Sequence, residues 1–381
     1  MKNDLLIQQG QPSWRIATKE VEAFVTETGG HLAPVTFALN GKNIQPFSVA
    51  PWAEEKIDDS FPPLLKSLRG DFFCLPFGGN GKTWKGEQHP PHGETANSKW
   101  HLESQDANKL HLSLQTKVRE GRVDKYICTQ PGHSAIYQRH LISGMSGPMN
   151  PGHHATLKFP DEPGSGRIST SPIREGQVLP EPFELPENRG YSSLLTGSKF
   201  KSLNKVKLQN GSETDLSIYP ARRGFEDLVM LESDTRPHFA WTAVTFPKQG
   251  CVWFALKDPK VLRQTVMWIS NGGRHYAPWS GRHVNVLGLE EVTSFFHLGL
   301  AESVSKNSHS SRGLTTHLKL SPKKPLAVNY IIGMAPIPRG FDCVASITAA
   351  KNGESVELIS RNKKKIQTPL NLSWLFGNTA P

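Results

Sequence analysis

Arg69-Gly70, Pro76-Phe77-Gly78, His92-Gly93 and Trp100 fall within one short stretch, residues 68–100. A guanidinium, an imidazole, aromatic faces and glycines are the residue types of a pocket wall, where backbone comes close to something bound. The stretch is too rich in glycine and proline for a helix interior. Two later stretches answer it: Asn150-Pro-Gly-His-His-Ala-Thr-Leu157 and Val286-Leu-Gly-Leu-Glu-Glu-Val292. They add imidazoles and carboxylates, groups capable of general acid–base work. The three stretches are expected to meet in one cleft.

Alternation limits which of these side chains share a compartment. His153 and His154 are neighbours on a strand, so one faces in and one out, and His154 is the expected cleft residue. Glu290 and Glu291 alternate in the same way. Leu287 and Leu289 share a face with Glu291, and Gly288 shares one with Glu290; the pattern alone leaves the choice of glutamate open. The loop Asn271-Gly-Gly-Arg-His-Tyr-Ala-Pro-Trp279-Ser-Gly-Arg282 runs up to the glutamate strand. It offers Arg274, His275, Tyr276 and Trp279 as secondary contacts. Trp84 and Trp279 are either stacking faces or core residues, and Trp268 is expected in the core.

Three familiar motifs fail on inspection. Gly81-Lys82-Thr83 resembles the end of a phosphate-binding loop, but Pro76 stands where its first glycine is needed. Gly144-Met-Ser-Gly-Pro148 resembles a nucleophile elbow, but proline replaces the closing glycine. His89, His92, Glu94 and His153-His154 lack the His-x-His pair of a cupin-like metal site, so no metal is expected.

The elements that must carry these residues read as strands. Residues 14–18, 21–28 and 31–39 are short β-rich runs broken at Gly29-Gly30 and Asn40-Gly41. Residues 109–116, 122–129 and 135–142 alternate apolar and polar positions, as a half-buried antiparallel meander does. Similar runs recur at 239–246, 251–256, 265–270, 315–320, 326–332 and 357–360. The one helical turn expected lies after Asp258, near Leu262. Many short strands without helical spans predict a large all-β antiparallel sandwich. Residues 161–223 read as a loop-rich insertion over a cleft, with room for one or two strands, within one domain spanning 1–381.

Composition narrows the classes. With 381 residues the chain has ample length for a core, and Gly 33 and Pro 29 favour turns over long helices. The formal charge of +10 is read as a basic solvated surface. Its only dense cluster, Arg361-Asn-Lys-Lys-Lys365, has no interleaved aromatics, so no nucleic-acid partner is expected. Cys74, Cys128, Cys251 and Cys343 form no C-x-x-C pair and are expected as buried free thiols. The N-terminal apolar run from Met1 to Gln9 is too short for a signal peptide, and no run reaches transmembrane length. A cytoplasmic protein without membrane contact is the expectation. Oligomeric state is not encoded in any feature of the sequence.

The order of these short motifs resembles the aldose 1-epimerase (galactose mutarotase) family, and most closely its hexose-6-phosphate mutarotase branch. Arg69-Gly70 followed by Cys74-Leu-Pro-Phe-Gly78, then His92-Gly93 to Trp100, is similar to that branch's Arg-Gly and His-Gly segments. Gly152-His-His154-Ala-Thr-Leu157 resembles its second histidine strand, and Val286-Leu-Gly-Leu-Glu290 the strand ending in its catalytic glutamate. The resemblance implies an antiparallel β-supersandwich, a small-molecule sugar substrate and no cofactor. It implies Glu290 as base, His154 as acid on the opposite side of the sugar ring, and His92 as a donor to the ring oxygen. Arg69 would bind a substrate hydroxyl, with His153, Arg274, Tyr276 and Trp279 as further substrate contacts. Mutarotation opens a pyranose at C1 and recloses it on the other face, which needs such an acid and base. Where the branch carries a phosphate-binding arginine after its His-Gly, this sequence has Ala96, with Glu94 nearby; a sugar 6-phosphate is therefore not expected. The alternative is a non-catalytic carbohydrate-binding protein on the same fold, distinguished by an outward-facing Glu290.

Overall fold

Strands dominate the computed structural model, which describes residues 5–377 and 381. Met1 to Asp4, part of the N-terminal run considered above, lie outside the described residues. Two large antiparallel sheets carry the fold. The nine-stranded sheet contains the meander Lys109–Thr116, Gly121–Thr129 and Ala135–Ser143, followed by Leu326–Pro336, Cys251–Lys257 and Ala240–Phe246. The second sheet contains Phe225–Ser233, Gln264–Asn271 and Val286–Val292, then Gly152–His153 and Phe73–Cys74, with Ala155–Lys158 also pairing Val286–Val292. A five-stranded N-terminal sheet over residues 6–44 packs into the same core.

The inner faces of the two large sheets meet in one apolar core. Val229, Leu231, Met267, Ile269, Leu287 and Leu289 point into it from the second sheet. The alternate positions Leu228, Met230, Val266, Trp268 and Val292 point to the opposite face and join a separate cluster with Leu64, Leu68, Phe72 and Trp279. A period of two thus gives one sheet two buried faces, the second covered by loops. The outer face of the nine-stranded sheet is covered in turn by the strands Val344–Ala349, Ser355–Ser360 and Lys365–Pro369, through Val344, Val356 and Leu358.

Asp258 to Leu262 forms the single expected turn, closed by the Leu262 N–H donating to Asp258 O at 2.9 Å. The α-helices are Pro63–Ser67 and Leu300–Val304, each too short to show a helical period. Within 161–223, Gly166–Thr170 and Ile173–Val178 are strands of the two large sheets, so the loop-rich excursion begins only after Val178. All four cysteines are free and buried. Among the described residues no helix is long and apolar enough to cross a membrane.

Candidate active site

The three stretches singled out in the sequence converge on the loop-covered face of the second sheet. Gly152 pairs with Cys74 on one side and with Val292 on the other. Phe77 and Asn150 close the junction: the Phe77 N–H donates to Asn150 O, and Asn150 Nδ2 donates back to Phe77 O at 2.8 Å. Ala155 opposite Leu289 sets the register, which brings His154 beside Glu290. Across this row of the sheet Phe72, His154, Glu290 and Val266 stand side by side.

They form part of the wall of a cavity of about 210 Å³. His154 Nε2 lies 3.3 Å from Glu290 Oε1. The two groups are therefore adjacent, not on opposite walls as the resemblance implied, because neighbouring strands present them from the same row. Burial pushes the Glu290 carboxyl well above the usual carboxylate range, against the pull of the Arg274 guanidinium. Burial also lowers His154 to about 3. Both shifts favour the neutral forms, a carboxylic acid beside an uncharged imidazole. His154 Nδ1 lies 3.0 Å from Thr156 Oγ1. Phe72 stacks on His154 at 4.4 Å and on His31 at 4.2 Å, which holds the ring plane.

His92 also lines the cavity. Its backbone is left-handed, with φ 59, and its N–H donates to Gly78 O at 2.7 Å. Gly93 makes this turn possible, since a Cβ there would stand 2.0 Å from Leu75 O. His92 Nδ1 is 3.3 Å from Cys74 Sγ. Burial raises the Cys74 thiol well above its ordinary value, so this neighbour of the imidazole is uncharged. Burial, then the neighbouring His154 and His297, lowers His92 well below 6.5, and the ring is neutral.

Alternation separates the paired residues. Glu291 points into the inter-sheet core, where it ion-pairs with Lys257 and accepts from Thr242 Oγ1 at 2.9 Å and Thr265 Oγ1 at 2.7 Å. His153 points the same way, its Nδ1 2.9 Å from Asp71 Oδ2, against Phe73 and Tyr330. The expectation of a substrate contact from His153 is thus corrected: its side chain belongs to the core. Arg69 needs the same correction. It is 1% exposed, and its guanidinium donates to the carbonyls of Ser67, Gln8 and Gln9 at 3.1, 2.8 and 3.0 Å. It ties the N-terminal hairpin to the sheet instead of reaching the cavity.

Arg274 and Trp279 do line the cavity. The Arg274 guanidinium lies over Trp279, Phe183 and Trp268 at 4.6, 5.0 and 5.5 Å, and its Nε donates to Glu184 Oε1 at 2.6 Å. Tyr276 stands one step behind. It is outside the lining, and its hydroxyl donates to the same carboxylate at 3.1 Å. Trp268 lies in the apolar cluster behind the site, as expected, and also forms part of the cavity wall, its indole N–H donating to Glu226 Oε2 at 3.0 Å. Trp84 packs under Arg119 instead of at the cavity. Phe72, Phe183 and His297 were not singled out by the sequence and all line it. For His297 the available signal was the aromatic run Ser294-Phe-Phe-His297 directly after the glutamate strand. Among the described residues no group of three or more His, Cys, Asp or Glu side chains is placed to hold a metal ion.

This architecture recurs in solved structures. A candidate aldose 1-epimerase from Escherichia coli K12 superposes with a TM-score of 0.59 at 12% identity, covering 86% of this chain and 100% of the other. The fold is that of the galactose-mutarotase supersandwich. A galactose mutarotase related enzyme from Lactobacillus acidophilus gives 0.56 at 12% identity, over 86% of this chain and 99% of the other. A galactose mutarotase-like protein from Lactobacillus casei gives 0.55 at 10% identity, over 84% and 99%. No family model matches the sequence, and no curated protein does. At such identities the likeness establishes the mutarotase-like fold and leaves the chemistry to the residues of the cavity.

Proposed function

We propose that this protein is an aldose 1-epimerase-like isomerase that interconverts the anomers of a sugar by acid–base ring opening. The observation that carries the proposal is the Glu290–His154 pair, 3.3 Å apart in the cavity wall. The hydroxyl and the ring oxygen of a cyclic aldose are bonded to one carbon, C1. Two adjacent groups, one holding a proton and one free to take it, can face both oxygens at once.

In the neutral pair Glu290 holds a proton and His154 Nε2 is free to take one, so one member is acid and the other base. With the proton on Glu290, His154 Nε2 takes the proton of the C1 hydroxyl. Glu290 gives its own to the ring oxygen, the bond from C1 to that oxygen breaks, and C1 becomes an aldehyde. The pair is then imidazolium and carboxylate. Rotation of the aldehyde exposes its other face, and the reverse transfers close the ring with both groups restored. Burial thus starts the cycle with Glu290 as acid, the reverse of the roles the resemblance implied, and the pair passes through both roles in each turnover. His92, also in the cavity wall, is the remaining neutral imidazole that can donate to the charge developing on oxygen. Acid–base groups of this kind contribute about 10²–10⁴-fold each.

An inward-facing Glu290, 2% exposed, supports an enzyme over a carbohydrate-binding protein on the same fold, which needs no such pair. The four buried free thiols support a reducing, cytoplasmic setting. NMR exchange spectroscopy over a panel of aldoses, with and without 6-phosphates, tests the reading. Catalysed exchange of at least one sugar is expected; rates equal to those in buffer for every sugar would overturn it.

A further inference from the structure

The cavity is poor in hydrogen-bonding groups for a sugar site. Its polar side chains are Glu290, His154, His92, Arg274 and His297, joined by the indole N–H groups of Trp268 and Trp279, the first of which is held by Glu226. In the reading above the first three serve C1 and the ring oxygen. Arg274, His297 and the Trp279 indole N–H remain for every other hydroxyl, and the Arg274 Nε is already engaged by Glu184. His297 Nδ1 is buried with no hydrogen-bond partner among the described residues.

The rest of the lining is apolar. Pro62, Leu64, Leu65 and Leu68 form one part of it, with Phe183 and Leu228 contributing from other elements. The leucine wall is fixed in place. The Leu64 N–H donates to Asn97 Oδ1 at 3.1 Å, and Trp52 Nε1 donates to Leu65 O at 2.7 Å. A hydroxyl pressed against these leucines would lose its water without gaining a partner, which is unfavourable. A methyl or methylene carbon in its place would gain contact.

We propose that the substrate is a neutral deoxy aldose, whose apolar carbon lies against the wall of Leu64, Leu65 and Leu68. The inference rests on the anomer-exchange reading and adds the class of sugar. An apolar surface discriminates against an added hydroxyl by about 10- to 100-fold, and a preference of that size is expected here.

The experiment compares D-glucose with 2-deoxy- and 6-deoxy-D-glucose, and D-galactose with 6-deoxy-D-galactose. Anomer exchange is read by NMR, each rate divided by that sugar's rate in buffer, and binding is read in parallel from quenching of tryptophan fluorescence. A kcat/KM at least about tenfold higher for a deoxy sugar than for its parent supports the proposal. Equal or higher values for the parent sugars in every pair overturn it while leaving the isomerase reading intact. If no sugar exchanges but a deoxy sugar binds more tightly than its parent, the ligand class stands and the isomerase reading falls. If none exchanges and none binds, both fall. In Leu65→Gln, which brings a donor to the wall at a half-buried position, the preference is expected to narrow; an unchanged preference overturns the assignment of that wall.

Discussion

A side-chain carbon at Gly288 would stand 2.5 Å from Glu290 Oε1, so the glycine provides the space the carboxyl occupies. The obstructing atom is the tip of a flexible side chain, and the next nearest, Trp268 Cβ, is 3.1 Å away. Gly288→Ala is therefore expected to fold and to push the carboxyl away from His154. Anomer exchange should fall by at least about tenfold, since misplacing a proton-transfer group by an ångström is costly. Exchange at the wild-type rate in a folded Gly288→Ala protein would show that the observed carboxyl position is not the working one.

His154→Ala and His153→Ala should differ in kind. The first removes one member of the proton pair and should lower exchange by about 10²-fold or more with a modest change in melting temperature. The second leaves Asp71 buried beside a void and should lower stability by about 2–4 kcal/mol while sparing turnover per folded molecule. Denaturant unfolding and NMR exchange on the same samples separate the two. Equal loss of turnover in both would mean that the alternation of faces does not govern the site.

Arg274 is the only arginine or lysine lining the cavity among the described residues, and its Nε is held by Glu184. Arg222 and Arg223 face Asp227 and Asp161. Glucose 6-phosphate should therefore be a poorer substrate than glucose, by about tenfold or more. Exchange rates measured side by side settle this. A preference for the phosphorylated sugar that survives high salt would contradict it.

The strands were legible because one-sided burial writes a period of two into the sequence, as in Lys109–Thr116, read to the residue. Glu290 against Glu291 was not legible, since all seven residues of Val286–Val292 are buried and a strand covered on both faces carries no such contrast. Only the register beside Ala155 and the space above Gly288 decide it. Arg69 sits in the expected motif but turns its side chain to backbone carbonyls, a partner that residue type alone cannot reveal. Leu64, Leu65, Phe183 and His297 reach the cavity from short helical or loop segments, where no periodicity announces direction.

Acid should destabilise the fold well before carboxylates fully titrate. Burial lowers His31, His154 and His283 to about 3 and His297 to about 4, against 6.5 when unfolded. Between those values the unfolded chain binds protons that the folded chain does not, so stability falls as pH drops below 6.5. Burial raises Glu226 and Glu232 to about 7 and Glu290 well above its ordinary value, and these three act in the opposite sense from about pH 4.5 upward. The histidines outnumber them. The melting temperature is expected to fall by several degrees from about pH 7 to about pH 5. A flat or rising profile over that interval would contradict the neutral, buried state of these rings.

Glu290→Gln tests the central claim most directly, with Glu291→Gln as its partner. The amide at 290 keeps the shape beside His154 but neither gives nor takes the proton in the cycle, so NMR should show anomer exchange reduced at least about 10²-fold with sugar binding retained. Glu291→Gln leaves Lys257 without its carboxylate in the core and should show its effect in stability, with turnover per folded molecule near wild type. Near-wild-type exchange in folded Glu290→Gln would remove Glu290 from the chemistry and contradict the account.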